Sequence, residues 1–254
     1  MPIIQSVERA LHILDLFDEH DTELKITEIS NKMGLHKSTL HSLLKTLQVQ
    51  GYIDQNHENG KYRLGMKLVE RGNLVVNSID IRQKARSFLL ELSIKTGQTT
   101  HLGILDGKEG VYIDKVEGKM AVISYSRIGR RLPVHATAIG KVLISFLNPA
   151  DIQALLENYD YTRPTPHSIS DEDRFLAELA LVRSRGYALD NQENEQGVRC
   201  ISVPIWNVER KVVAAISIST LISRVSDDEL EEYIQLLKQA GQELSQQLGY
   251  MAGS

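Results

Sequence analysis

Cysteine is almost missing from this chain: 254 residues include one, Cys200. A lone thiol excludes an intrachain disulfide framework and a cysteine-built metal cluster. No apolar run approaches the ~20 residues of a membrane span, and Met1 opens no signal-like segment. We therefore expect a protein of the reducing cytoplasm with no membrane partner; no residue set is assigned to a metal or cofactor, and the sequence leaves open whether a metal binds. Positive charge is not in excess either: 29 Lys and Arg stand against 33 Asp and Glu, a net charge of −4. The whole chain is no polycation, so any nucleic-acid surface must be local. Internal repeats and low-complexity runs are also lacking. What is present is 42% hydrophobic and 24% charged, enough for two domains, or one large one, with a normal core.

One stretch organises the rest, Thr27 to Leu47. It reads as two short helices broken at Gly34. Ile29 and Met33 share one face of the first. In the second, Leu40, Leu43, Leu44 and Leu47 recur at helical steps and form one apolar stripe. Its other face carries Lys37, Ser38, Thr39, His41, Ser42 and Lys45, small polar groups and donors. This is the pattern of a helix-turn-helix whose second helix enters the DNA major groove. The competing reading is an ordinary helical hairpin with a solvated face.

The next residues favour DNA. Apolar and polar residues alternate on both sides of Asn59-Gly60, which signals a β-hairpin. A hairpin straight after a recognition helix is a wing, and its Lys61 and Arg63 would meet phosphates. From Lys32 to Lys67 the sequence holds six basic residues and two acidic ones, a local +4. Just upstream lies an acidic loop, Asp18, Glu19, Asp21, Glu23 and Glu28.

Taken in order, Ser6 caps a first helix with a buried stripe of Val7, Ala10, Leu11, Leu14 and Phe17. Pro2, Ile3 and Ile4 form an arm against a partner subunit or DNA. Leu24 to Ile26 is a short strand against the wing, and Thr27 caps the following helix. The winged helix-turn-helix domain covers 1–64 and a linker helix 65–77. An effector-binding domain covers 78–250, and 251–254 read as an appended remnant.

In that second domain Ala85, Phe88, Leu89 and Leu92 mark a helix stopped by Gly97. Strands follow at Thr99–Leu105, Gly110–Val116 and Met120–Tyr125. A loop from Gly129 to Thr137 leads into a helix from Ala138 to Phe146. Asn148-Pro149 opens another helix, and Asp173–Arg185 forms a third that ends at Gly186. Tyr187–Asn191, Cys200–Trp206 and Val212–Thr220 are extended. Ser226 to Glu229 is a capping box that opens the last helix. The fold class is α+β: helices flank one antiparallel sheet.

Several groups in this domain suit a small anion. Ser217 and Ser219 share one face of a buried strand, where hydroxyls need a partner. Cys200 supplies a small neighbour from an adjacent strand. The amides of Ala138 and Ile139 are free at a helix start and suit a carboxylate. Asp190 would accept from the hydroxyls of a ligand. Each has a plain alternative: strand serines bonded to backbone, a core cysteine, a helix start capped by Thr137, a packing His135, and a solvated acidic loop at Asp190, Glu193 and Glu195. An enzyme with Cys200 as nucleophile and His135 as base is the second hypothesis. It lacks a third, orienting group.

The order of these parts, with Gly129-Arg-Arg-Leu-Pro-Val-His-Ala-Thr-Ala-Ile-Gly-Lys141, then Asp190 and Gln196-Gly-Val-Arg-Cys-Ile-Ser-Val-Pro-Ile205, resembles the IclR family of bacterial transcriptional regulators over essentially the whole chain. Gln5–Leu11, Lys37–Leu47 and Arg127–Leu132 carry a closer likeness to its repressors of 2-keto-3-deoxygluconate catabolism. The resemblance implies a GAF-like effector domain and no enzymatic activity. It places a keto-acid effector on Ala138, Ile139, Asp190, Cys200, Ser217 and Ser219, the groups picked out above on physical grounds. It also implies a homodimer or dimer of dimers on double-stranded operator DNA. Two departures stand out. Many relatives have Ser where this chain has His36, and smaller residues where it has Ala138 and Ile139. Arg127, Arg130 or His101 would supply contacts to a larger sugar acid. The alternatives are an activator, or a regulator answering to pyruvate or glyoxylate.

Overall fold

The computed structural model describes residues 3–18, 20–77, 80–120 and 126–251. Contacts divide the chain into two compact units, Met1–Ser78 and Ile79–Ser254. The first contains α1 (Gln5–Asp15), α2 (Ile26–Met33), α3 (Lys37–Val49), β1 (Ile53–Gln55), β2 (Tyr62–Leu64) and α4 (Lys67–Asn77).

Gly34 ends α2 in the left-handed conformation, at φ 63°. A side chain there would be strained, and glycine turns the chain into α3 without that cost. Leu40 and Leu44 are fully buried and Leu47 nearly so, against Ile13, Ile29, Ile53 and Tyr62. The leucine stripe thus holds α3 on a small core, and truncating one such leucine to Ala costs about 2–5 kcal/mol. β1 and β2 pair antiparallel, with Asp54 opposite Arg63.

Four local expectations are corrected. α1 starts at Gln5 with Ile4 as its N-cap and no side-chain cap, so Ser6 lies inside the helix. Its buried side is Ile13 and Phe17, while Val7 and Leu11 are 54% and 56% exposed. Ala10, Leu14 and Phe17 of the expected stripe do pack on the core, and Ile13 takes the place expected of Val7 and Leu11. α2 begins two residues early, at Ile26. Lys25 is its N-cap and Glu28 accepts the Lys25 amide at 2.6 Å, so Thr27 caps nothing. The strand expected at Leu24–Ile26 shrinks to one bridge, Leu24 to Tyr62, because the helix takes Ile26.

The second unit holds α5 (Asp80–Thr96), β3 (Thr99–Asp106), β4 (Glu109–Val116), β5 (Arg131–Pro133), α6 (Ala138–Ser145), α7 (Pro149–Leu156), α8 (Glu172–Arg185), β6 (Ala188–Asn191), β7 (Val198–Trp206), β8 (Val212–Leu221) and α9 (Asp227–Gln247). The six strands form one antiparallel sheet in the order β5-β4-β3-β8-β7-β6. β5 arises where a loop was expected. Three residues with only Leu132 buried leave no alternation to read. Residues 121–125 of the strand expected at Met120–Tyr125 lie outside the described residues, and Met120 itself is in a turn.

α5 and α9 cover one face of the sheet and α6 covers the other. Ile216 and Ile218 face the α5/α9 core, whereas Ala215 packs with Ile139 and Val142 beneath α6. β8 is therefore buried on both faces, which explains its near-continuous apolar run. Two glycines let α6 lie close. A Cβ at Gly103 would meet Ile139 Cγ2 at 2.7 Å, and one at Gly140 would clash with the Val134 Cα.

Candidate functional site

α3 carries the residues expected from sequence to face DNA. Lys37, Ser38, Thr39, His41, Ser42 and Lys45 are all exposed, opposite the buried leucines. His36 is the N-cap and gives no side-chain cap. The local charge is less free than a count suggests. Arg63 binds its cross-strand partner Asp54 at 2.8 Å, Lys32 binds Asp21, and Lys67 binds Glu70 at 2.7 Å. The Arg63 hydrogen bond holds the Asp54 carboxyl below its ordinary range. Lys37, Lys45 and Lys61 make no ion pair among the described residues. Near the wing, Asn59 and Asn56 donate to Glu23 at 3.1 and 3.4 Å.

In the second unit the sheet register gathers the remaining predicted groups. Asp190 pairs with Cys200, Cys200 with Ser219, and Ser219 with Thr99. One row lower, Ser202 pairs with Ser217 and Ser217 with His101. Cross-strand partners project on one face, so these side chains form two polar rows under the start of α6. Ala138, Ile139, Asp190, Cys200, Ser217 and Ser219 all line one cavity, together with Tyr112, Ser126, Arg130 and Glu195. The enclosed volume is about 20 Å³, near what one water needs.

The α6 end is half capped. Thr137 Oγ1 accepts the Gly140 amide at 3.2 Å, as expected of a helix start capped by its own side chain. The Ala138 and Ile139 amides have no acceptor among the described residues. Cys200 Sγ donates to Ser219 Oγ at 3.1 Å. Burial pushes the Cys200 thiol far up, so it stays protonated. Asp190 Oδ1 accepts the amides of Glu193 at 2.7 Å and Asn194 at 3.4 Å. Burial nevertheless lifts its carboxyl to about 7, with the neighbouring Glu193 adding to the rise. His101 stacks on Tyr112 at 4.4 Å, and burial lowers it to about 3, so it is neutral. Thr99 Oγ1, His101 Nε2 and Ser126 Oγ are buried without a partner.

His135 is not part of this group. Its Nδ1 meets the Tyr159 hydroxyl at 2.8 Å and its Nε2 the Thr162 carbonyl at 2.7 Å. Both ring nitrogens are occupied in an aromatic cluster with Tyr161 and Phe175. The pairing of Cys200 with His135 as nucleophile and base is absent.

Sequence reasoning missed Lys141. It is 1% exposed, and its ammonium donates to Glu193 Oε1 at 2.6 Å and to the Leu189 carbonyl at 2.8 Å. Glu178 Oε1 stands 3.7 Å away and is itself bound by Arg185 at 2.7 Å. The only local hint was a charge inside the apolar run Ala138–Ser145.

Comparison with known proteins follows the same division. The profile described as IclR helix-turn-helix domain matches residues 6–57, and that of the bacterial transcriptional regulator IclR C-terminal matches residues 73–246. The chain is 69% identical to the HTH-type transcriptional regulator XynR of Escherichia coli K12, over 99% of this chain and 100% of that one. It is 39% identical to the HTH-type transcriptional regulator KdgR of Dickeya chrysanthemi, over 97% and 81%. The closer likeness expected from sequence to the 2-keto-3-deoxygluconate repressors is therefore exceeded by that to XynR. The crystal structure of the Thermotoga maritima IclR superposes with a TM-score of 0.80 at 33% identity, covering 97% of this chain and 99% of that one. Its relatives are transcriptional regulators and not enzymes. Two family profiles spanning both units and a relative matched end to end place this chain in the IclR family of bacterial transcriptional regulators.

Proposed function

We propose that the chain is a ligand-responsive repressor of sugar-acid catabolic genes, released from its operator by a small keto acid such as 2-keto-3-deoxygluconate. The observation that carries this reading is the convergence on one cavity of two open helix-start amides, the hydroxyls of Ser217 and Ser219, and Asp190. The amides and the helix dipole suit a carboxylate, and the hydroxyls suit its neighbouring oxygen atoms. Partnerless polar atoms at Ser126, Thr99 and His101 support an effector with hydroxyls of its own. The sugar acid itself rests on the resemblance of Gln5–Leu11, Lys37–Leu47 and Arg127–Leu132.

On DNA, Lys37, Ser38, Thr39, His41 and Ser42 would read bases, and Lys45, Lys61 and Arg63 would hold phosphates. The exposed stripe of Ile3, Ile4, Val7 and Leu11 supports self-association as a dimer. A dimer or dimer of dimers would read a pseudo-palindromic site. Effector and DNA must weaken one another by the same factor, typically ~5–150-fold.

The tightness of the cavity favours a second reading, a two- or three-carbon acid such as glyoxylate or pyruvate. Fluorescence anisotropy with labelled promoter DNA, titrated with each of the three acids, tests both. We expect specific binding that one acid reverses. Equal affinity for promoter and random duplex, unmoved by every acid, would reject the proposal.

A further inference from the structure

Lys141 sits one turn beyond Ala138, in a helix whose other residues are almost all apolar. Leucine or methionine would fill that space without a buried charge. A fully buried ammonium is expensive to desolvate and persists only where its partners are well placed. Its partners lie on β6 and on the turn that follows it. The ammonium takes the Leu189 carbonyl, next to Asp190, and the Glu193 carboxylate. The Glu193 amide in turn donates to Asp190 Oδ1, and Glu193 Oε1 accepts the Asn191 amide at 3.3 Å. Thr165 and Ser168 fix the carbonyls of Gln192 and Glu193, both at 2.6 Å. Among the described residues, only Lys141 joins this segment by hydrogen bonds to the helix that carries the two open amides.

We infer that Lys141 is a positioning residue for the effector cup: it ties the helix that offers the Ala138 and Ile139 amides to the end of β6, which carries Asp190, and to the turn after it. This rests on the effector reading above. The clamp keeps the carboxylate end and the opposite wall at a fixed separation, so the site is preformed on both sides. Its charge is needed because a carbonyl and a carboxylate must be held together at one point, which no aliphatic side chain can do.

Two measurements on the full-length protein test this, in Lys141→Met and in Lys141→Met/Glu193→Met. Hydrogen exchange reads the amides of residues 189–195. Calorimetry reads binding of pyruvate and of 2-keto-3-deoxygluconate. The single variant leaves Glu193 charged and buried, so it loses stability. The double variant removes both charges and should recover it. We expect faster exchange at 189–195 in both variants. We also expect acid affinity to fall by about tenfold or more in both, as when a hydrogen bond to a charged group is lost. A double variant that regains stability together with wild-type affinity would make Lys141 merely structural and overturn the inference. If neither acid binds the wild-type protein, the effector reading falls while exchange still decides the clamp. Loosened 189–195 amides uphold it, and unchanged ones overturn it.

Discussion

Replacing Asp190 with Asn removes one buried ionisation and disturbs little else. The residue is 3% exposed, and its Oδ1 accepts the Glu193 amide, a role the Asn carbonyl oxygen can keep. Burial raises the native carboxyl to about 7 from an ordinary 3.8. The sign follows from which state binds the proton. Below about pH 4 both the folded and the unfolded chain hold it, and nothing is lost. Between pH 4 and 7 the unfolded chain ionises first, so native stability falls as pH rises. Above about 7 the loss is complete. At about 1.4 kcal/mol per pH unit, the rise to about 7 corresponds to roughly 4 kcal/mol at pH 8. Relaxation of the site and the new amide's own need for a partner reduce the gain from Asp190→Asn to about 2 kcal/mol. For a chain of this size that is a Tm about 4–8 °C higher at pH 8, and less than half of that at pH 5. Emission from Trp206, the only tryptophan, follows unfolding of the same unit from its stacked position on Tyr250. A variant that is less stable than wild type at both pH values would refute the argument, because its carboxylate would then be stabilising rather than strained.

Acid affinity carries the same titration. On the proposed effector reading, protonated Asp190 below pH 7 would donate to the acid rather than repel it, so the Kd measured by calorimetry should rise by up to about tenfold per pH unit above 7. Asp190→Asn should flatten that dependence, although Glu195 still lines the cavity and Glu193 and Lys141 stand beside position 190. At the wing, Lys61→Ala should lower the salt slope of DNA binding by about 1, and Asp54→Asn, which frees Arg63, should raise it by a similar amount. An unchanged slope in both variants would remove the hairpin from the DNA surface.

Much of this arrangement was legible in the residues. The α2-turn-α3 unit declared itself because helical period, a positive-φ glycine and a one-sided polar face agreed. The pocket row was legible because Ser217 and Ser219 alternate with isoleucines along one strand. Other features were hidden for physical reasons. α1 carries apolar residues at so many positions that the period fits two faces, and only packing against Ile29 and Leu44 picks Ile13. The reduced charge of the DNA surface depends on cross-strand register, which sets Asp54 beside Arg63. Lys141 was invisible because its partner Glu193 lies 52 residues away. A lysine in a short apolar helix normally marks the wet side, and here it marks the driest.

The two glycines under α6 bear on how such a protein diversifies. A methyl group at position 103 would press on Ile139 of the helix, and one at 140 on the Val134 backbone of the loop that leads into it. On the proposed reading, the end that would meet an acid group is thereby held constant by two hydrogen atoms. New tastes would then arise at the opposite rim, where Tyr112, Asn194 and Glu195 stand on strand and loop. Descendants of such a chain would keep one grip and change what it is offered.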